Sequence, residues 1–108
     1  MAEASTKVQH FIDDNAVMVF SKSYCPYCEK TKKTLSELGA EYTTVELDKE
    51  DDGSELQDAL EKITGQRTVP NVLIKKKHIG GNSDIQELNK LGKLADLLKE
   101  SGALKAQL

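Results

Sequence analysis

"AVMVFSKSYCPYCEK", residues 16–30, sets a short apolar run directly before a cysteine pair and a polar segment that begins with proline. A mostly apolar run of this length, residues 16–21, is typical of a strand buried on both faces. Pro26 suits the first turn of a helix, where its missing N–H costs nothing. The stretch therefore predicts a strand over 16–21, a helix over 26–38, and a cysteine pair at their junction.

The neighbouring segments continue this alternation. A first helix is predicted to end near Asn15, and alternating β-branched residues predict a second strand over 42–47. Residues 69–81 predict two short strands joined by a lysine-rich turn. Because a helix separates the first two strands, they should be parallel with a right-handed crossover, whereas the hairpin adds antiparallel strands. We expect an α/β fold in the order α-β-α-β-α-β-β-α-α: a four-stranded mixed β-sheet flanked by helices on both faces.

Serines are predicted to begin two of the later helices. Ser54 is a suitable N-cap, and Ser83 is another, with Gln86 three residues on completing a capping box. A last short helix is predicted around residues 94–98. The predicted inward-facing residues of the two serine-capped helices are Leu56, Leu60, Ile63, Ile85, Leu88 and Leu91.

Length and composition exclude several classes of protein. The 108 residues fit one compact domain over residues 1–108. The net charge of −3 is too small and too acidic to suggest a nucleic-acid or anionic-membrane partner, and no apolar run is long enough to span a bilayer. Residues 1–14 lack the pattern of a secretory signal. We therefore expect a cytoplasmic protein.

The two cysteines are compatible with a zinc site, a structural disulfide or a reactive dithiol. Structural zinc needs four ligands, and His10 and His78 show no ligand spacing, so no intramolecular metal site is predicted. A bridge between Cys25 and Cys28 would close a loop too short to stabilise much, and disulfides are rare in the cytosol. Two small buried apolar residues remain an alternative.

A reactive dithiol fits the predicted junction best. At the start of a helix, free N–H groups and the helix dipole favour the thiolate form of Cys25, and Lys22 could add a nearby positive charge. Cys28 falls one turn inside the helix, so it should be more buried and less ionised. Cys25 is therefore predicted to attack a disulfide, and Cys28 to resolve the mixed disulfide that forms.

Three motifs together resemble a dithiol glutaredoxin: CPYC at 25–28, TVP at 68–70 and GGNSD at 80–84. The resemblance runs over residues 8–98. The absence of tryptophan, and Pro-Tyr between the cysteines, distinguish the chain from the thioredoxin branch of the same fold. The resemblance implies a thioredoxin-like fold, glutathione as reducing co-substrate, and neither a metal nor a bound organic cofactor.

The resemblance also implies a set of glutathione-binding residues. Val69, before a cis Pro70, would offer its backbone to the cysteinyl part of glutathione. The helix start at Ser83 and Asp84 would take the γ-glutamyl end. The glycine carboxylate would meet Lys22 or Gln57, ranked above Arg67. The full predicted set is Lys22, Tyr27, Gln57, Arg67, Thr68, Val69, Pro70, Gly81, Ser83 and Asp84.

Ordinary structural roles are the alternative for several of these residues. Gln57 lies three residues after Ser54 and could complete a capping box, and Ser83 could act only as an N-cap. Lysine and arginine in loops are usually solvated charges. The basic run at 75–78 is interpreted as a solvated hairpin turn, and lysines there also discourage edge pairing.

The predicted function is reduction of protein–glutathione mixed disulfides and protein disulfides. The implied partners are glutathione, glutathionylated or disulfide-containing proteins, and glutathione reductase indirectly through glutathione; a monomer is the simplest state. One alternative is a carrier of a [2Fe–2S] cluster, which Pro26 disfavours by stiffening the loop. Another is a thioredoxin-like reductant recharged by a flavoprotein reductase.

Overall fold

One mixed sheet organises the chain. The computed structural model describes residues 2–104, and its strands lie side by side in the order β2-β1-β3-β4. Their bounds are β1 (Val17–Ser21), β2 (Thr43–Glu46), β3 (Asn71–Ile74) and β4 (Lys77–Gly80). The β2 strand runs parallel to β1, whereas β3 runs antiparallel to both β1 and β4. The predicted mixed sheet and its parallel pair are confirmed.

Helices cover both faces of this sheet, as predicted. They are α1 (Ala2–Asp14), α2 (Pro26–Glu37), α3 (Gly53–Thr64), α4 (Asn82–Lys90) and α5 (Lys93–Ser101). A one-turn 3-10 helix, Leu47–Lys49, precedes α3. No helix in the described part of the chain has the length and hydropathy needed to cross a membrane.

The alternation of side chains along β1 explains the two layers. All five residues of β1 are buried. Met18 and Phe20 belong to a core shared with α1 and α3, whereas Val17 and Val19 belong to a second core shared with α2, α4 and α5. Successive residues of a strand point to opposite faces, so one apolar strand supplies both cores.

Two predicted details of the helices are wrong. Ser54 does not cap α3: the helix begins at Gly53, with Asp52 in the N-cap position and no side-chain cap. Gly53 packs against the carbonyl of Leu47, where a Cβ would overlap it, so the first position of α3 requires glycine. Ile63 is not inward-facing: it is 40% exposed, in the last turn of α3.

The end of α4 also differs from prediction. Leu91 was expected to face inward, yet it is 56% exposed, because it lies past the last residue of α4, in the C-cap position. Ile85 is fully buried and Leu88 packs against the second core, as predicted.

The lysine-rich hairpin turn is confirmed. Lys75 and Lys76 have φ values of 51° and 68°, and positive φ at both central residues is the requirement of the tight turns that join antiparallel strands. His78 lies in β4, as expected.

Candidate active site

Cys25 is the N-cap residue of α2. Its extended backbone (φ −91°, ψ 114°) leads into the helix, and its sulfur accepts a hydrogen bond from the backbone N–H of Cys28 at 3.2 Å. Serine, threonine, aspartate or asparagine usually fills this position; here a half-buried sulfur does so. The N–H donor and the helix dipole both favour negative charge on that sulfur.

Cys28 lies in a contrasting environment one turn into α2. It is fully buried. Burial, followed by the contact with the Cys25 side chain, raises the pKa of the Cys28 thiol to about 11, with the Ser21 hydroxyl acting in the opposite direction. At neutral pH Cys28 is therefore a thiol, and its predicted greater burial is confirmed.

The segment before β3 faces this dithiol. The peptide bond between Val69 and Pro70 is cis, as predicted. The carbonyl oxygen of Val69 lies 3.9 Å from the Cys25 sulfur. Pro70 is buried, and Thr68 on the other side of Val69 is exposed. The backbone of Val69 is thus the part of this segment that meets the reactive sulfur.

A cleft of about 440 Å³ opens on one side of Val69, and we call it the α4 cleft. It contains seven of the predicted glutathione-binding residues together with two that were not predicted. Its lining residues are Tyr27, Gln66, Thr68, Val69, Pro70, Gly81, Asn82, Ser83 and Asp84.

The first turn of α4 forms one wall of the α4 cleft. Gly81 is the N-cap residue, and its N–H donates to the Asp84 carboxylate at 3.0 Å. The prediction that Ser83 caps this helix is therefore wrong: the Asp84 carboxylate makes the capping contact. Gly80 allows this arrangement, because its φ of 130° and its contact with Asp84 leave no room for a Cβ.

The N–H groups after Gly81 are left for a ligand. The first backbone bond of α4 runs from the N–H of Ile85 to the carbonyl of Gly81. The N–H groups of the preceding residues have no partner inside the helix, which is the usual condition of a helix start. An anionic group in the α4 cleft would meet them with the helix dipole in its favour.

A second cleft, of about 480 Å³, shares Thr68 and Val69 with the first, and we call it the Lys22 cleft. It brings together all three predicted candidates for the glycine carboxylate. Its lining residues are Lys22, Tyr24, Cys25, Pro26, Gln57, Arg67, Thr68 and Val69.

Arg67 is the least available of the three. Its guanidinium donates to Asp58 at 2.7 Å and to Glu61 at 3.0 Å, and these hydrogen bonds raise the pKa of the Arg67 side chain. The Gln57 amide donates to the Arg67 carbonyl at 3.0 Å, rather than completing a capping box. Lys22 makes no ion pair within residues 2–104.

Four polar side chains link α2 to α4, and we call them the α2–α4 polar network: Thr31, Thr34, Asn82 and Gln86. The Asn82 side-chain oxygen accepts from the hydroxyl of Thr31 at 2.9 Å and from the Gln86 amide at 3.1 Å. Gln86 also donates to Thr34 at 2.9 Å, so it does not form the capping box predicted for it. The network ties the helix that carries the cysteines to the helix that borders the α4 cleft.

Several residues at the site were not predicted. Tyr24 is 71% exposed beside Cys25. The Asp48 carboxylate accepts hydrogen bonds from the backbone and hydroxyl of Ser23, and so holds the loop between β1 and α2. Gln66 and Asn82 line the α4 cleft. The contact of Asp48 with Ser23 and that of Asn82 with α2 join residues distant in sequence, and no local pattern indicates them.

The geometry agrees with the comparisons to known proteins. A family model described as Glutaredoxin matches residues 17–79. The chain is 55% identical over 101 residues to a glutaredoxin of Ricinus communis, covering 94% of this chain and 99% of the relative. The chain belongs to the glutaredoxin family. A rice glutaredoxin, "Glutaredoxin-C4, chloroplastic" from Oryza sativa subsp. japonica, is 54% identical over 101 residues, which span 94% of this chain and 76% of the relative.

Solved structures of glutaredoxins share the whole architecture. A crystal structure of a buckwheat glutaredoxin–glutathione complex superposes with a TM-score of 0.93 at 49% identity, covering 96% of this chain and 94% of that one. The four-stranded sheet and its helices are thus those of the thioredoxin-like fold that glutaredoxins adopt. The dithiol spacing of Cys25 and Cys28 is that of the CxxC type in this family.

Metal binding by this glutaredoxin stays a separate question. Within the part of the chain that the structure describes, no three or more His, Cys, Asp or Glu side chains are grouped to hold an ion. A [2Fe–2S] cluster shared with external thiols would not need such a group, so the cluster-carrier alternative remains a prediction, tested by visible absorbance of the purified protein.

Proposed function

We propose that this glutaredoxin is a glutathione-dependent thiol–disulfide oxidoreductase that reduces protein–glutathione mixed disulfides and protein disulfides. One observation carries the proposal: the Cys25 sulfur caps α2 while facing the Val69 backbone, and Val69 lines both clefts. Glutathione has a thiol between two charged ends, and the two clefts share Val69, which faces the sulfur.

The α4 cleft is the proposed site for the γ-glutamyl end. That end carries a carboxylate and an ammonium group. The unpaired first-turn N–H groups around Ser83, next to Gly81, would bind the carboxylate, and the Asp84 carboxylate would attract the ammonium. Tyr27, which is 61% exposed, would form an apolar wall beside the sulfur.

The Lys22 cleft is the proposed site for the glycine carboxylate. Lys22 would supply the charge there, with Gln57 as a second donor. Arg67 is a weaker candidate, because two carboxylates already compensate its charge. Between the clefts, Val69 would pair with the cysteinyl backbone in the manner of an added strand, flanked by Thr68 and Pro70.

The proposed reaction begins with attack by the Cys25 thiolate on the glutathione sulfur of a mixed disulfide. A Cys25–glutathione disulfide forms, and the protein thiolate leaves and takes up a proton. A second glutathione thiolate then attacks the bound glutathione sulfur. Oxidised glutathione leaves, and the Cys25 thiolate is regenerated. Glutathione reductase would reduce the oxidised glutathione in a separate reaction.

Cys28 adds a route for protein disulfides. Cys25 attacks the substrate disulfide, and Cys28 then loses its proton and attacks the Cys25 sulfur. The substrate leaves as a dithiol, and two glutathione molecules reduce the resulting Cys25–Cys28 disulfide. The pKa of Cys28, raised to about 11 chiefly by burial, keeps most of this thiol protonated at neutral pH, which favours the glutathione route for mixed disulfides.

The proposed setting is a monomer in the cytoplasm. Both cysteines are free thiols, which suits a reducing compartment. Because a rice relative carries a chloroplastic name, the compartment needs a direct test, namely imaging of a fluorescent fusion to the full-length protein. Sedimentation of the reduced protein would test the monomer.

The decisive experiment is glutathione-dependent turnover of a glutathionylated disulfide, coupled to glutathione reductase. Wild type should be active, Cys25→Ser inactive, and Cys28→Ser largely active. Loss of activity in both variants would mean that the two-thiol route carries the reaction. No turnover in the wild type would overturn the proposal and leave cluster binding or a flavoprotein electron source to be tested.

A further inference from the structure

Gln66 makes an unusual set of contacts for a residue outside every helix and strand. It follows α3 by two residues, after Gly65, whose left-handed conformation (φ 82°) ends the helix. The N–H of Gln66 donates to the Thr64 hydroxyl at 3.1 Å, and its carbonyl accepts from the buried Asn71 amide at 3.3 Å. The main chain of Gln66 is therefore held from both sides.

The side chain of Gln66 spans Val69. Its amide nitrogen donates to the carbonyl of Thr68 at 2.9 Å and to the carbonyl of Pro70 at 3.0 Å. Those are the carbonyls on either side of the residue that faces Cys25. A carboxamide has two N–H donors, so both are used to hold this one segment.

The remaining oxygen of the Gln66 amide reaches a third element. It lies 3.1 Å from Nε2 of His78 in β4. Because the Gln66 amide nitrogen donates to the two carbonyls, the Gln66 amide oxygen must accept, and His78 must donate from Nε2. A Cβ on Gly81, at the start of α4, would lie 3.7 Å from the Gln66 amide nitrogen. One side chain thus connects the Thr68–Pro70 segment, β4 and the α4 cleft.

We propose that Gln66 is a positioning residue for the disulfide exchange reaction. By binding the carbonyls of Thr68 and Pro70, it holds the Val69 backbone toward Cys25, where the cysteinyl part of glutathione would pair. No partner for the Val69 N–H is found within residues 2–104, so the bonds from Gln66 hold the segment on either side of Val69 and leave that N–H for a ligand. This inference rests on the proposed function and adds a residue to it.

Loss of the Gln66 side chain should weaken the binding of glutathione and leave the sulfur chemistry unchanged. Gln66 does not contact Cys25, so its loss should leave the thiolate form of Cys25 and its intrinsic reactivity unchanged. A loosened Val69 backbone would instead weaken every state in which glutathione is paired with it. Loss of two neutral hydrogen bonds to a partly exposed segment should raise KM for a glutathionylated substrate about five- to tenfold.

The test compares Gln66→Ala and Gln66→Glu with wild type in glutathione-dependent turnover of a glutathionylated peptide. Glutamate preserves the size of the side chain and the contact with His78, but it replaces the two donors with acceptors that face two carbonyls. We expect both variants to raise KM for the peptide about five- to tenfold, with kcat within twofold. The rate and pH profile of Cys25 alkylation by iodoacetamide should match wild type in both.

Gln9→Ala is the matched control, because Gln9 is an exposed glutamine on α1 whose amide bonds Asp13, far along the chain from the site. It should leave KM unchanged. Thermal unfolding followed by circular dichroism separates misfolding from mispositioning: if Gln66→Ala is unfolded, the folded Gln66→Glu protein decides. An unchanged KM in the folded variant would overturn the inference, as would a glutamate variant equal to wild type or a shifted alkylation profile. Wild type without glutathione turnover would instead overturn the proposed function itself.

Discussion

Two helices begin at the active site, and they use their first N–H groups differently. In α2, the capping atom is the nucleophile: the Cys25 sulfur accepts from the Cys28 N–H. In α4, the N-cap is a glycine without a side chain, and Asp84 reaches back to its N–H. The first helix start therefore stabilises a charge on the protein, whereas the second leaves donors for a charge on the ligand.

The largest expected effect is that of Cys25→Ser, which removes the nucleophile but keeps a side chain that can cap α2. Cys25→Ser keeps an oxygen that can accept from the Cys28 N–H, so α2 should stay capped, but a serine hydroxyl is not ionised at neutral pH. We expect turnover to fall at least ~100-fold, with the unfolding free energy within about 1 kcal/mol of wild type. Coupled turnover and thermal unfolding measure both quantities. A fall in unfolding free energy well above 1 kcal/mol would mean that the Cys25 sulfur stabilises the protein through contacts other than the N-cap bond.

The second prediction uses the raised pKa of Cys28. The thiol has an ordinary pKa of 9.0 and a folded pKa of about 11, so the folded state binds this proton more tightly than the unfolded state. The resulting stabilisation is complete below pH 9 and should be lost as pH rises toward 11, by roughly 1 to 3 kcal/mol.

Other groups titrate in the same range, so Cys28→Ser is the control. Denaturant unfolding at pH 8, 9, 10 and 11 should give a steeper decline for wild type than for Cys28→Ser. Equal slopes in the two proteins would show that the buried thiol does not carry this effect.

The third prediction concerns the ligand charge at α4. Asp84→Asn keeps an oxygen for the Gly81 N–H but removes the negative charge, so KM for glutathione should rise about tenfold, equivalent to about 1.4 kcal/mol. Asp84→Ala should show the same rise and also lose about 0.5–2 kcal/mol of stability through the missing cap.

Asp96→Asn is the matched control, since Asp96 is an exposed acid in the first turn of α5. Its KM should equal that of wild type. A similar KM rise in this control would indicate a general charge effect rather than contact with the ammonium group.

The smallest expected effect is that of Ser83→Ala. Ser83 is exposed, and its hydroxyl makes none of the cap contacts observed at α4. We expect less than ~0.5 kcal/mol change in unfolding free energy, and KM for glutathione within twofold, since the backbone N–H is retained. A loss of about 1 kcal/mol or more would restore Ser83 as a capping residue and weaken the role given to Asp84.

Much of the fold was predictable because its signals are local. The apolar run of β1 and the helix that starts at Pro26 were read correctly, and the lysine-rich turn was too. They depend on periodicity and on backbone preferences that neighbouring residues set. The dithiol and the Val69–Pro70 segment also carry motifs of the glutaredoxin family, and the resemblance they give implies most of the residues of the site.

One error arose where two nearby residues compete for one contact. Ser83 and Asp84 both offer an oxygen near the start of α4, and the backbone of Gly80 and Gly81 decides between them. Gln66 was missed for a different reason: its bonds to the Thr68 and Pro70 carbonyls depend on the path of the backbone after α3, and its bond to His78 forms only once the hairpin has folded back. Sequence pattern alone contains neither piece of information.

The α2–α4 polar network limits how this protein can be recombined with others. Each of its four side chains forms a hydrogen bond with another member, and Thr31 is fully buried. Replacing one helix alone with the corresponding segment of another protein would leave buried donors and acceptors without partners. In chimeric proteins built from this scaffold, α2 and α4 should therefore be exchanged together, although more than forty residues separate them in the sequence.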